Sequence, residues 1–441
     1  MMKGDVAESC EQSSWTVSRW LEHLESLHSA DIELGLDRVK AVASQLDCLR
    51  PAPCVVLVAG TNGKGTTTAL LAALLRKQGL RVGCYTSPHI RRYNERVTLD
   101  GTEISDADLC RSFESVESAR GSTALTYFEF GTLAALNWFK DQPLDVCILG
   151  IGLGGRLDAV NIVEADICIV TSVGLDHQAW LGDTREAIAR EKYAIARSGK
   201  YLISGDPNPP ASASETVEEN GGIWIGSGEQ FEWLPQEDSS VCSIRFKPQL
   251  DDPSSIQWDL PGAAVPYPNV ATALQTLALM GHLLPEQEVI DVLSRLKVDG
   301  RMQRWQWLRN ESEHVLVTLD VAHNEQAARY LKSRLQHVDG IVLAMLSDKP
   351  VEDVQSALPN AKQWVCAGLD CPRGLSSGQL QQRLTMAPEQ VCTVVDSVAA
   401  GIEHIQSVAK ANEHWLIVGS FFTVEAALKQ IEAGGEAWKS I

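Results

Sequence analysis

The sequence predicts an α/β fold with a mainly parallel sheet, followed by a second, smaller α/β domain, and three observations carry that expectation. Apolar runs of strand length alternate with helix-period segments through most of the chain. A glycine-rich turn, Gly60-Thr61-Asn62-Gly63-Lys64-Gly65, joins the first such run to a long apolar helical pattern. The same alternation restarts near Val315, after a stretch poor in helix signal.

Taken in order, Cys54–Ala59, Val82–Thr86, Val146–Leu149 and Ile167–Thr171 read as strands, because each is a short apolar run of the kind a sheet buries on both faces. Thr67–Gln78, Asp106–Ser118, Phe130–Phe139 and Thr184–Ser198 read as the intervening helices. From Asp206 to Pro268 the chain is rich in Pro, Ser, Gly and Glu, which predicts loops and short strands on the edge of the first domain. The second set comprises strands at Val315–Val321, Ile341–Met345, Gln363–Ala367 and Trp415–Val418, and Leu296–Arg304 is the expected hinge before it. This places the domains at 1–298 and 299–441. There is no internal repeat, low-complexity tract or coiled-coil heptad.

At 441 residues and 44% apolar content the chain can bury sizeable cores. A formal charge of −19, spread along the sequence, disfavours nucleic acid and anionic membranes as partners, so anionic ligands must be held by local cations and metal. The 11 cysteines are dispersed, with no C-x-x-C pair, and Cys54, Cys147 and Cys168 sit inside strand-like runs where a buried thiol packs well. With a polar N-terminus (Asp5, Glu8, Glu11) and no apolar run of membrane length, the expected setting is a reduced cytoplasm.

The glycine-rich turn has the chemistry of a phosphate cradle. A helix start offers unpaired backbone N–H groups and the positive end of a dipole, glycines let the backbone close on the anion, and Lys64 adds a point charge. The match to G-x-x-x-x-G-K-[ST] is imperfect: Val58 stands at the first glycine, and Gly65 where the hydroxyl should be, with Thr66 one step later.

The variant G-T-N-G-K-G-T-T resembles the ATP loop of the Mur ligase superfamily, and in particular its folate branch. Further blocks follow in that family's order: Thr86-Ser87-Pro88-His89 through Asn94-Glu95-Arg96-Val97, Leu125-Thr126-Tyr127-Phe128-Glu129-Phe130, Gly152-Leu153-Gly154-Gly155-Arg156-Leu157-Asp158-Ala159, Leu175-Asp176-His177 and Arg190-Glu191-Lys192. The resemblance runs from about Leu27 to Thr423. It implies a Mur-ligase-type P-loop ATP-binding domain, a Rossmann-like C-terminal domain that closes over it, and an ATP-dependent ligase. That enzyme joins L-glutamate to 7,8-dihydropteroate and to reduced folates through an acyl phosphate, as a monomer.

The resemblance also assigns residues. Thr61, Asn62, Gly63, Lys64, Gly65 and Thr66 hold ATP, with Asn269 on the first domain and Arg301 and Asp320 on the second. Two Mg²⁺ sites use Ser87, His177 and the position of Gly150. By itself His177 would be an ordinary polar loop residue, Lys192 a solvated helix lysine, and Asn269 and Arg301 surface residues. In the family, however, the histidine meets the second magnesium and the lysine is carbamylated, so Lys64, Lys192 and His177 form the catalytic set. Thr126, Tyr127, Phe128 and Glu129, read locally as a capped helix start with core aromatics, line the pterin pocket together with Leu157, Asp158 and Ala159. His323 and Ser420 match positions associated with the incoming glutamate.

Two departures stand out. Glu325 replaces the family's usual proline, and Gly150 replaces a magnesium-binding glutamate. The second keeps another class of function open, a nucleotide-binding pseudoenzyme. A peptidoglycan-type Mur ligase shares the loop and the Asp320-Val321-Ala322-His323-Asn324 block, but the Thr-Ser-Pro-His and Thr-Tyr-Phe-Glu blocks point to folate.

Overall fold

The computed structural model describes residues 14–28, 33–235, 241–250, 254–261, 265–310 and 312–441; the acidic positions Asp5, Glu8 and Glu11 lie outside them. The chain divides into two compact units between Leu296 and Lys297.

The first unit is built on an eight-stranded sheet. Its strands are β1 (Cys54–Ala59), β2 (Val82–Tyr85), β3 (Val97–Leu99), β4 (Thr102–Glu103), β5 (Val146–Gly150), β6 (Ile167–Val170), β7 (Tyr201–Ser204) and β8 (Ile223–Gly226). They lie in the order β4-β3-β2-β5-β1-β6-β7-β8, parallel from β2 through β8, with β3 and β4 added antiparallel at one edge. β1 is central because it is apolar on both faces. Val55, Leu57 and Ala59 join the core beneath the helix Tyr127–Lys140, while Val56 and Val58 face Leu70, Leu71, Leu74 and Leu75 of the helix Lys64–Lys77. Each fully buried Leu or Val contributes about 1.5–3 kcal/mol.

Two expectations need correction. The helix expected over Thr184–Ser198 spans Arg185–Tyr193. Beyond it Ile195 is buried, and its carbonyl accepts from the Cys168 thiol at 3.0 Å and from Arg197 at 2.8 Å, so the chain leaves the helix to pack against β6. The stretch after Asp206 is more regular than its composition suggests. It contains a helix, Ala211–Glu219, and β8, which pairs with β7 in the main sheet. It also contains a separate antiparallel sheet of β9 (Glu232–Pro235), β10 (Val241–Phe246) and β11 (Ile256–Pro261). The helix buries only Ala213 and Val217 among its apolar residues, too narrow a stripe to show as a period.

The second unit has a seven-stranded sheet of β12 (Gln303–Leu308), β13 (His314–Asp320), β14 (Gly340–Leu343), β15 (Gln363–Ala367), β16 (Val391–Val395), β17 (His414–Val418) and β18 (Trp438–Ser440). The order is β16-β15-β14-β17-β13-β12-β18, parallel from β16 to β13 and antiparallel at β12 and β18. Part of the expected hinge, from Gln303, is therefore strand. Among the described residues no helix is long and apolar enough to cross a membrane.

Candidate active site

In an open parallel sheet, ligands gather beyond the carboxyl ends of the strands. At that edge β1 runs into the glycine loop. Gly63 has φ +88°, a left-handed conformation, and a Cβ there would lie 2.6 Å from Asn269 Nδ2. Gly60 is packed as tightly, since its Cβ would meet Thr171 Oγ1. Gly63 is the N-cap of the helix Lys64–Lys77 and offers no side-chain cap, and a helix start of this kind suits an anion. This loop has the room and the donors for a phosphate chain.

The loop is anchored from distant segments. Thr61 N–H donates to Ser172 O at 2.8 Å, Asn62 N–H to Ser172 Oγ at 3.1 Å, and the Thr171 hydroxyl to Asn62 O at 2.6 Å. Asn269 is 8% exposed rather than superficial, and its Nδ2 donates to Gly63 O at 2.9 Å and to Thr67 Oγ1 at 2.8 Å. Thr66 and Thr67 are buried on the helix, and Gly65 has open space around it.

Two lysines converge here. Lys64 Nζ donates to Gly60 O at 2.7 Å, and Lys192 Nζ reaches the same carbonyl at 3.3 Å. Lys192 is buried, not a solvated helix lysine, and burial followed by the charge of Lys64 pushes its pKa down to about 7, against the pull of Asp176, Asp158 and Glu191. Asp158 is buried too. Its carboxylate accepts from the amides of Gly152, Leu153 and Val160 at 3.1, 2.8 and 2.9 Å, yet burial raises its pKa to about 6. Leu157 and Ala159 flank it, Ala159 opening a short 3₁₀ helix capped by Asp158.

Ser87 follows β2, and Gly150 ends the neighbouring β5. A Cβ on Gly150 would lie 3.1 Å from Tyr85 O and 3.7 Å from Thr86 Cα, so a side chain at this position emerges next to the Thr86-Ser87 turn. His177 follows β6 with φ +53°; its amide donates to Asp176 Oδ1 at 2.9 Å, and its Nε2 is 4.0 Å from that oxygen. Among the described residues no three His, Cys, Asp or Glu side chains form a cage for a metal ion. Magnesium held beside phosphates needs none, because it keeps waters and takes one or two protein groups. Hard oxygen donors at Ser87 and Asp176, with the imidazole of His177, fit that requirement.

Thr126, Tyr127, Phe128 and Glu129 open the helix Tyr127–Lys140 as a capping box: Thr126 Oγ1 accepts from Glu129 N–H at 3.3 Å and Glu129 Oε2 from Thr126 N–H at 2.8 Å. Glu129 is further held by Arg38, whose Nε and Nη2 donate to Oε1 at 2.9 and 2.8 Å. That arginine, 91 residues earlier, carries no local sequence signal. Tyr127 and Phe128 are half-buried and present their rings beside this fixed start.

In the second unit, Asp320 ends β13 and accepts from Met302 N–H and Ala322 N–H at 2.8 and 2.9 Å. Burial raises its pKa, and burial lowers that of Arg301; each charge counters the shift in the other. Arg301 is half-buried rather than superficial, its guanidinium 5.2 Å from the centre of the Phe421 ring. His323 Nδ1 is 2.8 Å from Val321 O, and its ring lies 6.4 Å from that of Phe421. Ser420 caps the helix Phe421–Ala433, accepting from Thr423 N–H at 3.0 Å. Arg301, Asp320, His323 and Ser420 thus share one edge of one sheet, beyond β13 and β17.

Comparison with known proteins identifies the family. The family model described as Mur ligase, glutamate ligase domain matches residues 300–421. The chain is 41% identical to dihydrofolate synthase/folylpolyglutamate synthase of Escherichia coli over 428 residues, covering 96% of this chain and 97% of that one. It is 37% identical to the enzyme of the same name from Haemophilus influenzae, covering 92% and 96%. The structure of E. coli FolC in complex with DHPP and ADP superposes with a TM-score of 0.85 at 40% identity, covering 96% of this chain and 99% of that chain. The bifunctional enzyme of Yersinia pestis complexed with AMPPNP and Mn ion gives 0.84 at 40% identity, with coverage of 96% and 99%. These relatives favour the folate reading over the peptidoglycan one. Phosphate loop, paired lysines, capping box and two α/β units belong together: the chain is a member of the dihydrofolate synthase/folylpolyglutamate synthase family of ATP-dependent glutamate ligases.

Proposed function

We propose that this chain condenses L-glutamate with 7,8-dihydropteroate and, at the γ-carboxyl, with reduced folates, acting as a cytoplasmic monomer. The observation that carries the reading is the convergence of Lys64 and Lys192 on Gly60 O at an uncapped helix start. The substrate carboxylate attacks the γ-phosphorus of ATP, the bond to the β-phosphate oxygen breaks, and ADP leaves. The amino nitrogen of glutamate then attacks the acyl carbon, phosphate departs, and the nitrogen loses its proton to leave the amide. Lys64 and the loop amides hold the β- and γ-phosphates, offsetting charge that gathers as the phosphoryl group moves. Thr61 to Thr66 and Asn269 complete the nucleotide site of the first unit, and Arg301 and Asp320 are the nucleotide contacts of the second.

When bound, magnesium supplies charge neutralisation at the phosphates, and Ser87, His177 and Asp176 are the groups that would hold two such ions. Glu129 cannot stand in for the family glutamate missing at Gly150, because its oxygens are committed to Thr126 and Arg38. Asp176 is the remaining candidate, and we expect a weaker ligase that requires high Mg²⁺. Lys192, with a pKa near 7, presents enough neutral amine to add CO₂, forming an N–C bond and losing a proton to give a carbamate that helps position metal. Tyr127, Phe128, Leu157, Asp158 and Ala159 line the pterin pocket, and His323 and Ser420 receive glutamate.

Coupled ADP-release assays with dihydropteroate, tetrahydrofolate and a muramyl substrate test the reading. Glutamate-dependent ADP release is expected with the two pteridines and not with the muramyl compound. ATP binding without turnover on any of them would establish the pseudoenzyme instead.

A further inference from the structure

Arg96 is a cation in an unusual place. It is 8% exposed, and among the described residues no carboxylate lies within ion-pair reach of it. Its Nε donates to His89 Nδ1 at 2.9 Å, and its guanidinium lies 4.9 Å from the Tyr93 ring centre and 5.6 Å from that of Tyr127. Glu95 next to it is turned away, its oxygens accepting from the amides of Ile90, Arg91 and Arg92 at 2.7, 2.8 and 2.9 Å. His89 is no counter-ion either, since an imidazole accepting from a guanidinium N–H carries no negative charge. A buried guanidinium stays charged and is unfavourable without a counter-ion. In the same cluster the Tyr93 hydroxyl is buried and, among the described residues, has no hydrogen-bond partner.

The surroundings say what would complete the cluster. The phenol of Tyr127, on the first turn of the capped helix, and the adjacent Phe128 are half-buried aromatic surfaces suited to a flat ring. The ring of Tyr85, 6.2 Å from that of Phe128, belongs to the residue whose carbonyl Gly150 approaches. Cation, aromatic faces and the turn leading to Ser87 therefore lie together at the ends of β2 and β5. We propose that Arg96 is a substrate-positioning residue whose guanidinium pairs with the carboxylate of an aromatic acid, the pteroate-type substrate, stacked on Tyr127. This rests on the proposed function and adds to it the counter-ion of the acid that is to be activated.

The test compares two ligands differing in one group. Dihydropteroate and its decarboxylated analogue are titrated into the full-length wild type, R96Q and R96K, and the KM for ATP and the thermal midpoint are recorded for each protein. R96Q should weaken dihydropteroate about tenfold or more while changing the analogue less than twofold, with ATP KM unaltered. R96K, keeping the charge without the fork, should recover part of the loss. Equal weakening of both ligands, or of neither, would overturn the inference, as would a rise confined to the KM for ATP. If R96Q does not fold, R96K carries the same comparison: the ratio of its two affinities must differ from that of the wild type. A wild type that binds neither pteridine overturns the proposed function and this inference with it, whereas one that binds both leaves the two separable.

Discussion

Both units deliver their marked residues to the carboxyl ends of central parallel strands, and they balance charge in opposite ways. Beyond β1, Lys64 and Lys192 point at one carbonyl oxygen, and the burial of Lys192 is relieved by easier loss of its proton. Beyond β13, Arg301 and Asp320 counter each other, and two backbone amides hold the carboxylate. The first arrangement gathers two ammonium groups and draws its negative charge from carboxylates further off; the second sets opposite charges against each other directly. Two ammonium groups on one carbonyl oxygen therefore set the first unit apart from the second, where a guanidinium and a carboxylate offset each other.

The comparison breaks first at Lys64. Lys64→Ala should lower turnover by on the order of 10²–10³, the scale of one lost electrostatic contact in a transition state, while leaving the thermal midpoint nearly unchanged. Wild-type turnover with an unchanged KM for ATP would remove the phosphate role from this loop.

If Lys192 carries the proposed carbamate, Lys192→Ala should lose most activity and regain part of it with added small carboxylates. No carbamate signal on ¹³CO₂ labelling of the wild type, together with full activity of Lys192→Ala, would end that reading. For the unmodified lysine the sign of the pH effect is fixed. Its folded pKa, near 7, lies below the ordinary 10.5, so between those values the unfolded chain holds a proton that the folded chain does not, and stability rises with pH across that window. Chemical denaturation at pH 7 and 9 should show this rise, and Lys192→Met should flatten it.

Gly150→Glu should raise kcat about tenfold and lower the Mg²⁺ needed for half-maximal rate, less than a whole electrostatic contact can supply, because its Cβ must settle against Tyr85 O at 3.1 Å. Gly150→Ala is the control: it has the same contact and no ligand, so it should bring no gain. Equal behaviour of the two variants would mean that the metal site is built differently here.

Smaller effects belong to the anchors. Asn269→Ala removes two hydrogen bonds, at about 1 kcal/mol each, and should weaken ATP binding severalfold in a fluorescence titration. Arg301→Met should lower stability by about 1 kcal/mol, with the deficit growing as pH rises through the carboxylate range, because Asp320 loses the charge that favours its ionised form. A deficit independent of pH would show that packing on Phe421, not charge, is what Arg301 contributes.

The elements that could be read from sequence are those whose own residues decide them. Cys54–Ala59 and Gln363–Ala367 appear with the expected bounds, since a two-sided apolar run can hardly be anything but a buried strand. The phosphate loop was legible for the same local reason: glycines and a lysine at a strand-to-helix turn. Features made by contact between distant segments were not. Arg38 holds Glu129, Thr171 holds the loop, and Arg96 sits between Tyr93 and Tyr127, yet none of these pairings leaves a periodic trace. The helix Ala211–Glu219 was hidden because its polar residues outnumber its thin apolar stripe.

Asn269 meets Gly63 across 206 residues. During synthesis the glycine turn and Lys64 therefore leave the ribosome long before the side chain that braces them, and Thr171, Ser172 and Lys192 arrive in between. Until the helix Tyr267–Met280 has been made, the emerging chain carries the phosphate loop's complete signature but not its fixed shape. Nascent chains stalled before and after that helix should then differ in their capture by immobilised ATP, with retention beginning only once Asn269 is outside the exit tunnel.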